Sequence, residues 1–202
     1  MKVLIKEGSL TDGDESVLVN ASNTNAQLGT GVSAAIRQAC GKGYQEKLFA
    51  ELQRQFKGPM KPGQVMITDA GLNPRAKWVA HVAVMDYREG FTAASYPTID
   101  TIRAGCEQLW DRVEAIAGTQ PLSVAMVALG AGTGNLGVAE PIRVASETLK
   151  AHLAIHRSSR IELVTFYGYS LPEFIAMAHV LAVQFPEVKA QLPEEVLKFV
   201  EQ

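Results

Sequence analysis

The sequence predicts a three-layer α/β/α fold, in which a mixed, mostly parallel sheet carries helices on both faces. Short apolar runs alternate along the chain with longer amphipathic segments of helical period. Strands that are apolar on both sides are typical of parallel sheets covered by helices. A chain of 202 residues is also long enough to bury a substantial core. We therefore expect a single domain over 1–202, with its core at about 2–185.

The predicted elements follow one another in a regular order. Apolar runs of strand length lie at 2–6, 16–20, 63–70, 78–85, 123–129 and 160–167. Amphipathic segments of helical period lie at 31–40, 44–56, 97–117, 141–156, 170–185 and, as a short C-terminal helix, 193–200. Gly41 ends the first helix, and Gly58 with Pro59 ends the second. Ser170 and Glu173 have the spacing of a capping box at the start of the fifth helix.

Composition excludes several classes of function. The formal net charge is -2 and the pI is about 6.1, so no general attraction to nucleic acid or membrane surfaces is expected. No apolar run reaches membrane-spanning length, and Met1 leads directly into a strand without a signal-like segment. Cys40 and Cys106 are isolated and show no CxxC spacing. We expect a cytoplasmic protein with reduced cysteines and no membrane partner.

Ligands of open α/β sheets bind beyond the carboxyl ends of the strands, and this rule selects three loops. They are the first loop (21–31), the second loop (130–137) and the third loop (167–170). Before and within the first loop, Asn20 and Asn23 offer amide donors and acceptors. The helix that begins near Gly31 presents free N–H groups to an anion. Alternatively, the asparagines satisfy only their own turn, and this segment alone does not decide between the two.

The second loop repeats the order of strand, glycine loop and helix. Its glycines are Gly130, Gly132, Gly134 and Gly137, of which the last three satisfy GxGxxG. The next strand ends without the acid of a dinucleotide site, and no Lys-Ser or Lys-Thr follows as in a P-loop. Two anion-compatible loops at one sheet edge instead suggest a clamped diphosphate. Phe166 and Tyr167 lie at the start of the third loop and just before it. They either offer a surface on which a base can stack or are aromatic side chains packed under a helix.

Other chemistry-bearing residues have simpler explanations. His152 and His156 lie four apart on a predicted helix, a spacing that can share a metal, but the sequence offers no third ligand. We expect a solvated or core-edge pair, and neither a metal site nor a cofactor. His81 within an apolar strand is predicted to be a core histidine whose hydrogen bonds are satisfied. Cys40 is predicted to be an unreactive cysteine that packs as a small apolar side chain. Asp86 at a strand end is either a solvated charge or, where its loop reaches the cleft, a ligand contact.

The residues quoted so far resemble a known family. The segment at 17–41, VLVNASNTNAQLGTGVSAAIRQACG, resembles the signature of macrodomains, which bind ADP-ribose and related nucleotides. The segment 123–137 resembles the second phosphate loop of that family, and 63–84 its intervening pair of strands. The resemblance, which extends over about 2–185, implies a diverged, bacterial-type, stand-alone member with a macrodomain-like fold. It also implies binding of ADP-ribose or an ADP-ribosylated macromolecule.

The resemblance implies roles for individual residues. Asn23 matches the asparagine that approaches the distal ribose, and it is the one residue for which a catalytic role is implied. Asn20 matches a mainly structural position. The other implied ligand-binding residues are Ser9, Leu10, Gly29, Thr30, Gly31, Val32, Gly130, Ala131, Gly132, Thr133, Gly134, Asn135, Leu136, Phe166 and Tyr167.

Two departures from the family pattern bear on function. Members usually carry an acid after the first strand that accepts from the adenine amino group, whereas Ser9 stands here, with Asp12 or Asp14 as candidate substitutes. Hydrolytic members of one subclass carry Asp where Ser33 stands, and a neutral serine is a poor base. The resemblance therefore favours binding without chemistry. The alternatives are a mono-ADP-ribosyl hydrolase with weak or substrate-assisted activity, and a module for another nucleotide or nucleic acid.

Overall fold

The structure, a computed structural model, describes residues 1–201. Within this range the strands are β1 (Lys2–Glu7), β2 (Val17–Asn23), β3 (Val65–Asp69), β4 (Trp78–Met85), β5 (Leu122–Met126) and β6 (Ile161–Gly168). The α-helices are α1 (Gly31–Cys40), α2 (Tyr44–Phe56), α3 (Ile99–Ala117), α4 (Ala139–Ile155), α5 (Leu171–Gln184) and α6 (Glu194–Val200). Short 3₁₀ turns at Leu10–Asp12, Ala93–Ser95 and Pro186–Gln191, which the apolar pattern did not predict, complete the elements.

The strands form one sheet in the order β1-β6-β5-β2-β4-β3. Every neighbouring pair is parallel except β3 and β4, which pair antiparallel at one edge. Helices α1 and α2 cover one face, and α3, α4 and α5 cover the other. The predicted three-layer fold with a mixed, mostly parallel sheet is confirmed. Because β2, β5 and β6 are neighbours, their carboxyl ends bring the three loops to one edge.

Burial of β2 on both faces explains its apolar composition. Val17 and Val19 pack into the core under α3 and α4, whereas Leu18 packs into the core under α1 and α2. This alternation is the two-residue period of a strand between two helical layers. The end of β2, from which the first loop departs, is therefore held from both sides.

The strand β2 extends three residues beyond its predicted end at Asn20. Ala21 pairs with Val82 of β4, and Ser22 with Ala83, before the register shifts at Asn23. The polar letters of this stretch suggested a loop. They are accommodated in a strand because the backbone ladder to β4 continues and the Ser22 hydroxyl donates to the Asn23 carbonyl at 3.3 Å. The loop proper begins only after Asn23.

The predicted capping box at α5 does not form as expected. The Ser170 side chain makes no capping bond, and the Glu173 carboxylate accepts from the backbone N–H of Tyr169 at 2.9 Å instead. Glu173 is thereby turned toward the end of β6. None of the helices in the described range combines the length and apolarity needed to cross a membrane.

Candidate ligand-binding cleft

The three loops line one cleft of about 750 Å³ at the edge where β2, β5 and β6 end. This volume is in the range of sites for small molecules and cofactors. The residues predicted from the sequence that line it are Ser9, Leu10, Asn23, Gly29, Thr30, Gly31, Val32, Gly130, Ala131, Gly132, Thr133, Gly134 and Tyr167. Their contact with a ligand stays a prediction, but the fold brings them together.

Four predicted residues are placed outside the cleft lining. Phe166 is fully buried in the core on the face opposite to Tyr167, because side chains alternate along β6, and it is not available for stacking. Asn135 is exposed in a left-handed turn with φ of 57°, and Leu136 packs beneath the second loop. Asn20 is fully buried below the first loop, in keeping with its structural role.

Asn23 organises the first loop with its own amide. Its Oδ1 accepts from the backbone N–H groups of Asn25 and Gln27, both at 3.1 Å, and its Nδ2 donates to the Gln27 carbonyl at 2.8 Å. Asn23 therefore does satisfy the backbone of its own turn, as the alternative interpretation of the sequence predicted. An amide nitrogen carries two hydrogens, so Nδ2 retains one more donor beside the cleft.

The helix α1 begins with its amino end at the cleft. Its N-cap residue Thr30 makes no side-chain capping bond, and the first helical bond runs from Ala34 N–H to the Thr30 carbonyl at 3.4 Å. The N–H groups of the preceding three residues, 31–33, have no partner within the helix. Gly31 adopts φ of 57°, a conformation that favours glycine. The positive end of the helix dipole is thus uncapped by protein side chains.

A buried hydrogen-bond chain supports this helix end from below. The Ser33 hydroxyl donates to Asn20 Oδ1 at 2.9 Å, and Asn20 Nδ2 donates to Nδ1 of His81 at 3.1 Å. Since that nitrogen accepts, the imidazole hydrogen is on Nε2, which faces the hydroxyls of Tyr44 at 3.3 Å and Thr68 at 3.2 Å. Burial lowers the pKa of His81 to about 3, so the ring is neutral. His81 is the satisfied core histidine that the sequence predicted.

This chain also limits what Ser33 can do chemically. Its hydroxyl hydrogen is directed at an amide oxygen, which cannot accept a proton as a base does. The side chain lines the cleft but is otherwise buried. Ser33 is therefore a structural link between α1 and β2, without the partner that activates a serine nucleophile.

The second loop is shaped by its own backbone. A Cβ on Gly134 would lie 2.5 Å from the Gly130 carbonyl oxygen, so the two glycines pack directly on each other. Leu136 N–H donates to the same oxygen at 3.1 Å, and Asn135 N–H donates to the Gly132 carbonyl at 2.9 Å. The loop folds back over itself with residues 131–133 at its tip. Helix α4 begins only at Ala139, so GxGxxG here does not open a helix as in a dinucleotide fold.

The third loop contains one anchored and one exposed tyrosine. Tyr167 is 4% exposed, and its hydroxyl donates to the buried carboxylate of Glu15 at 2.9 Å. Burial and the neighbouring Glu15 carboxylate raise the pKa of the Tyr167 hydroxyl. The Lys6 Nζ atom lies 3.7 Å from the same carboxylate. Tyr169 lines the cleft with 77% of its surface exposed. The sequence selected this loop but missed Tyr169, although an aromatic just beyond a strand end was visible.

The acids that the sequence offered for the cleft lie elsewhere. Asp12 and Asp14 are exposed and do not line it. Asp86 accepts from the Arg88 side chain at 2.9 and 2.6 Å, and this pairing lowers the pKa of its carboxyl group. Asp86 therefore stabilises its own loop outside the cleft lining. Ser9 lines the cleft, with its hydroxyl oxygen accepting from Thr11 N–H at 3.3 Å.

Among the cleft-lining residues in the described part of the chain, Glu173 is the one formally charged side chain. It is half-buried, and its backbone lies against Gly168, whose carbonyl accepts from Gly8 N–H at 2.9 Å. Glu173 is therefore close to the segment of Ser9. The sequence indicated Glu173 only as a local helix cap, because proximity of α5 to β1 is a tertiary property. Lys and Arg do not line the described cleft, so an anion there would be held by backbone N–H groups and neutral polar side chains.

Comparison with known proteins gives consistent matches. The Macro domain family model matches residues 19–145. The chain is 31% identical over 142 residues to an uncharacterized protein of Aeropyrum pernix, covering 70% of this chain and 67% of that protein. It is 28% identical over 182 residues to an O-acetyl-ADP-ribose deacetylase of Cronobacter turicensis, covering 89% and 96%. A variant of the Oceanobacillus iheyensis macrodomain with ADP-ribose (ADPR) has a TM-score of 0.71 at 17% identity, covering 91% and 92%.

Proposed function

The chain belongs to the Macro domain family, and we propose that its cleft binds ADP-ribose, either free or linked to a macromolecule. One observation carries the proposal: the uncapped amino end of α1 and the glycines of the second loop face one cleft that is lined by almost no charge. The names of the relatives, one with bound ADP-ribose and one acting on O-acetyl-ADP-ribose, agree with this ligand.

The diphosphate would be held between the first and second loops. The free N–H groups of residues 31–33 and the positive helix end attract negative charge, and the tip 131–133 supplies further backbone donors. Backbone N–H groups carry no net charge, so few bound salt ions are displaced from the protein when the diphosphate binds. We therefore expect affinity for ADP-ribose to depend only weakly on salt, in contrast to sites built from Lys and Arg.

The two ends of the ligand would meet different groups. We expect the second Nδ2 hydrogen of Asn23, which lines the cleft, to donate to the distal ribose. At the other end, Tyr169 offers an exposed face for stacking the base. Glu173 supplies the carboxylate that Ser9 lacks, with one oxygen on Tyr169 N–H and the other free to accept from an exocyclic amino group of adenine.

Hydrolysis is the second candidate function, favoured by the deacetylase relative. Against it, Ser33 donates to Asn20, and none of the other serines and threonines that line the described cleft is hydrogen-bonded to a carboxylate or a histidine. A chemical step would depend on the phosphate of the substrate itself. We expect O-acetyl-ADP-ribose to bind without release of acetate above the uncatalysed rate. Acetate release proportional to protein concentration, and abolished by Asn23→Ala, would establish a hydrolase instead.

The proposal is tested by titrating ADP-ribose into the purified protein in a calorimeter, with AMP and NAD as comparators. We expect micromolar affinity for ADP-ribose. The affinity for AMP should be weaker by at least about 10-fold, because AMP has a single phosphate and can contact only part of the diphosphate site between the two loops. NAD tests whether a substituent on the distal ribose is tolerated near Asn23. Failure of ADP-ribose to bind the folded protein would overturn the proposal.

Other features complete the proposed setting. We infer a cytoplasmic, reducing location, because the cysteines Cys40 and Cys106 are free thiols that form no disulfide. Tighter binding of AMP or NAD than of ADP-ribose in the titration would indicate another nucleotide as the ligand. Nucleic acid is disfavoured by the lack of basic side chains in the described cleft lining. We propose that residues 1–202 form one domain.

A further inference from the structure

Three potential metal ligands converge between α3 and α4, away from the cleft. One ligand atom from each of Asp111, His152 and His156 lies within 4.8 Å of the other two. We propose that these side chains form a binding site for a divalent transition-metal ion such as Zn²⁺. Helix α4 begins after the second loop and ends at Ile155, so the site lies at the end of the molecule opposite to the cleft. It does not depend on the proposed function.

The surroundings of His152 are the strongest support for this site. The side chain is buried, yet Nδ1 lies 3.2 Å from Asp111 Oδ1 and Nε2 lies 3.4 Å from Glu114 Oε2. Both ring nitrogens of His152 therefore face carboxylate oxygens, so one nitrogen can donate to a carboxylate while the other binds a metal ion. A metal ion between Nδ1 and Asp111 would be held by an imidazole nitrogen and a carboxylate oxygen together.

Glu114 has the arrangement of an outer carboxylate that orients a ligating histidine. Its Oε2 accepts from the Ser159 hydroxyl at 2.5 Å, and its Oε1 accepts from Arg160 N–H at 2.8 Å. These bonds fix the carboxylate against the loop before β6, where it can accept from Nε2–H of His152. Carboxylates in this position fix the tautomer and ring direction of metal-binding histidines. Nδ1 of His152 is then the nitrogen left to bind metal.

His156 and Asp111 can complete the coordination with small movements. The His156 backbone N–H donates to the His152 carbonyl at 2.8 Å, so the helical turn continues and the rings stack at 4.2 Å. In a tetrahedral zinc site, bonds of about 2.1 Å place ligand atoms about 3.4 Å apart. Ligand atoms up to 4.8 Å apart must therefore approach each other by up to about 1.4 Å. Both side chains are exposed, Asp111 by 69%, and are free to make it.

The ligand set selects the class of metal. Two imidazoles and one carboxylate suit Zn²⁺, Co²⁺, Ni²⁺ or Cu²⁺, whereas Mg²⁺ and Ca²⁺ prefer oxygen ligands throughout. The carboxylates of Asp111 and Glu114 supply the negative charge that such a cation needs. Bound metal would link α3 to α4 and stabilise the folded chain, while leaving the cleft unaltered.

The experiment uses tag-free, chelator-treated full-length protein. Zn²⁺ is titrated by calorimetry, and Co²⁺ is used as a probe whose visible absorption reports nitrogen and oxygen coordination. We expect one equivalent to bind, and a rise in Tm of about 5 to 10 °C when free Zn²⁺ is 100-fold above its Kd. His156→Ala and Asp111→Asn should each weaken Zn²⁺ binding by at least about 10-fold. His179→Ala, which removes an exposed histidine of α5, is the matched control and should bind as the wild type does.

Two results would overturn the site. One is wild-type protein that shows no saturable binding of Zn²⁺ with a stoichiometry of one. The other is His156→Ala protein that binds Zn²⁺ as tightly as the His179→Ala control. Because His156 and Asp111 are exposed, the variants should keep the Tm of metal-free wild type, which separates lost coordination from lost folding. Calorimetry with ADP-ribose, with and without Zn²⁺, should give equal affinities, so failure here is independent of the cleft.

Discussion

The first and second loops both bring glycine backbone to the same cleft, but they are held in different ways. The first loop is supported by side chains: Asn23 within it, and the chain from Ser33 through Asn20 to His81 below it. The second loop rests on contact between Gly130 and Gly134, on bonds within its own backbone and on packing of both glycines against the Pro97 side chain. Side chains therefore fix the donors of the first loop in place, whereas the shape of the second loop depends on the absence of Cβ atoms at its glycines.

The largest expected effect comes from Gly31→Glu in the first loop. The substitution forces a left-handed φ on a side-chain-bearing residue and places a carboxylate at the amino end of α1. We expect affinity for ADP-ribose to fall by ~100-fold, about 2.7 kcal/mol, as measured by calorimetry.

Gly43→Glu is the matched control for that substitution. Gly43 also has a positive φ, stands at the amino end of α2 and has open space where a Cβ would lie, but it does not line the cleft. The control should show similar destabilisation in thermal unfolding and unchanged affinity. Equal loss of affinity in both variants would mean that strain, and not the phosphate seat, is responsible.

The second effect is a pH dependence of stability from His81, on which the support of the first loop depends. Its folded pKa of about 3 is below the unfolded value of 6.5, so the unfolded chain binds the proton more readily between these values. The stability is fully present above the unfolded pKa and is lost as pH falls toward the folded one. We expect a loss of about 1.5 kcal/mol in the free energy of unfolding between about pH 6.5 and 5, measured with denaturant.

His81→Gln is the control for this titration. Its amide can accept from Asn20 and donate toward Tyr44, as the neutral ring does, but it does not titrate. The difference between the two proteins isolates the contribution of His81. Identical slopes for wild type and variant over this pH range would show that His81 does not couple the first loop to pH.

Gly134→Ala tests the second loop. The added Cβ meets the Gly130 carbonyl oxygen at 2.5 Å, so the backbone must shift and the tip 131–133 with it. We expect affinity for ADP-ribose to fall by ~10-fold, about 1.4 kcal/mol. Gly132→Ala, whose Cβ would meet nothing within 4 Å, should keep the loop shape and lose less. If both variants bind alike, the contact between the two glycines does not determine the loop's function.

The smallest expected effect on affinity separates the two tyrosines of the third loop. Tyr169→Ala should leave Tm unchanged, because the side chain is exposed, and weaken ADP-ribose by about 5-fold through lost stacking. Tyr167→Phe should do the reverse, because it removes the donor to buried Glu15 and lowers stability by about 1–3 kcal/mol. Calorimetry and thermal unfolding of both variants distinguish the roles. A loss of affinity confined to Tyr167→Phe would reverse the assignment.

Much of the fold was predictable because apolar period and strand length are local properties. The sheet, its helical layers and the family resemblance were all confirmed. The end of β2 was misplaced because the pairing of Ala21 and Ser22 with β4 depends on a neighbouring strand. The polar residues Asn20, Ser22 and Asn23 indicated a loop, and only pairing with the neighbouring strand explains why the strand continues.

The cleft was predictable to the extent that it follows strand ends. Which of two adjacent aromatics faces it depends on the register of β6, and this register buries Phe166. Glu173 and Asp111 lie near residues that are distant in sequence, so spacing indicated Glu173 only as a helix cap and gave no signal for Asp111. Local patterns located the loops, and tertiary packing decides which side chains they present.

The most direct test of the proposed binding mode is a crystal structure of the protein with ADP-ribose. We expect diphosphate oxygens about 2.7–3.2 Å from the backbone nitrogens of residues 31–33 and of the loop tip 131–133, with the base against Tyr169. Phosphates bound outside the space between these two loops, or held by Lys or Arg side chains, would contradict it.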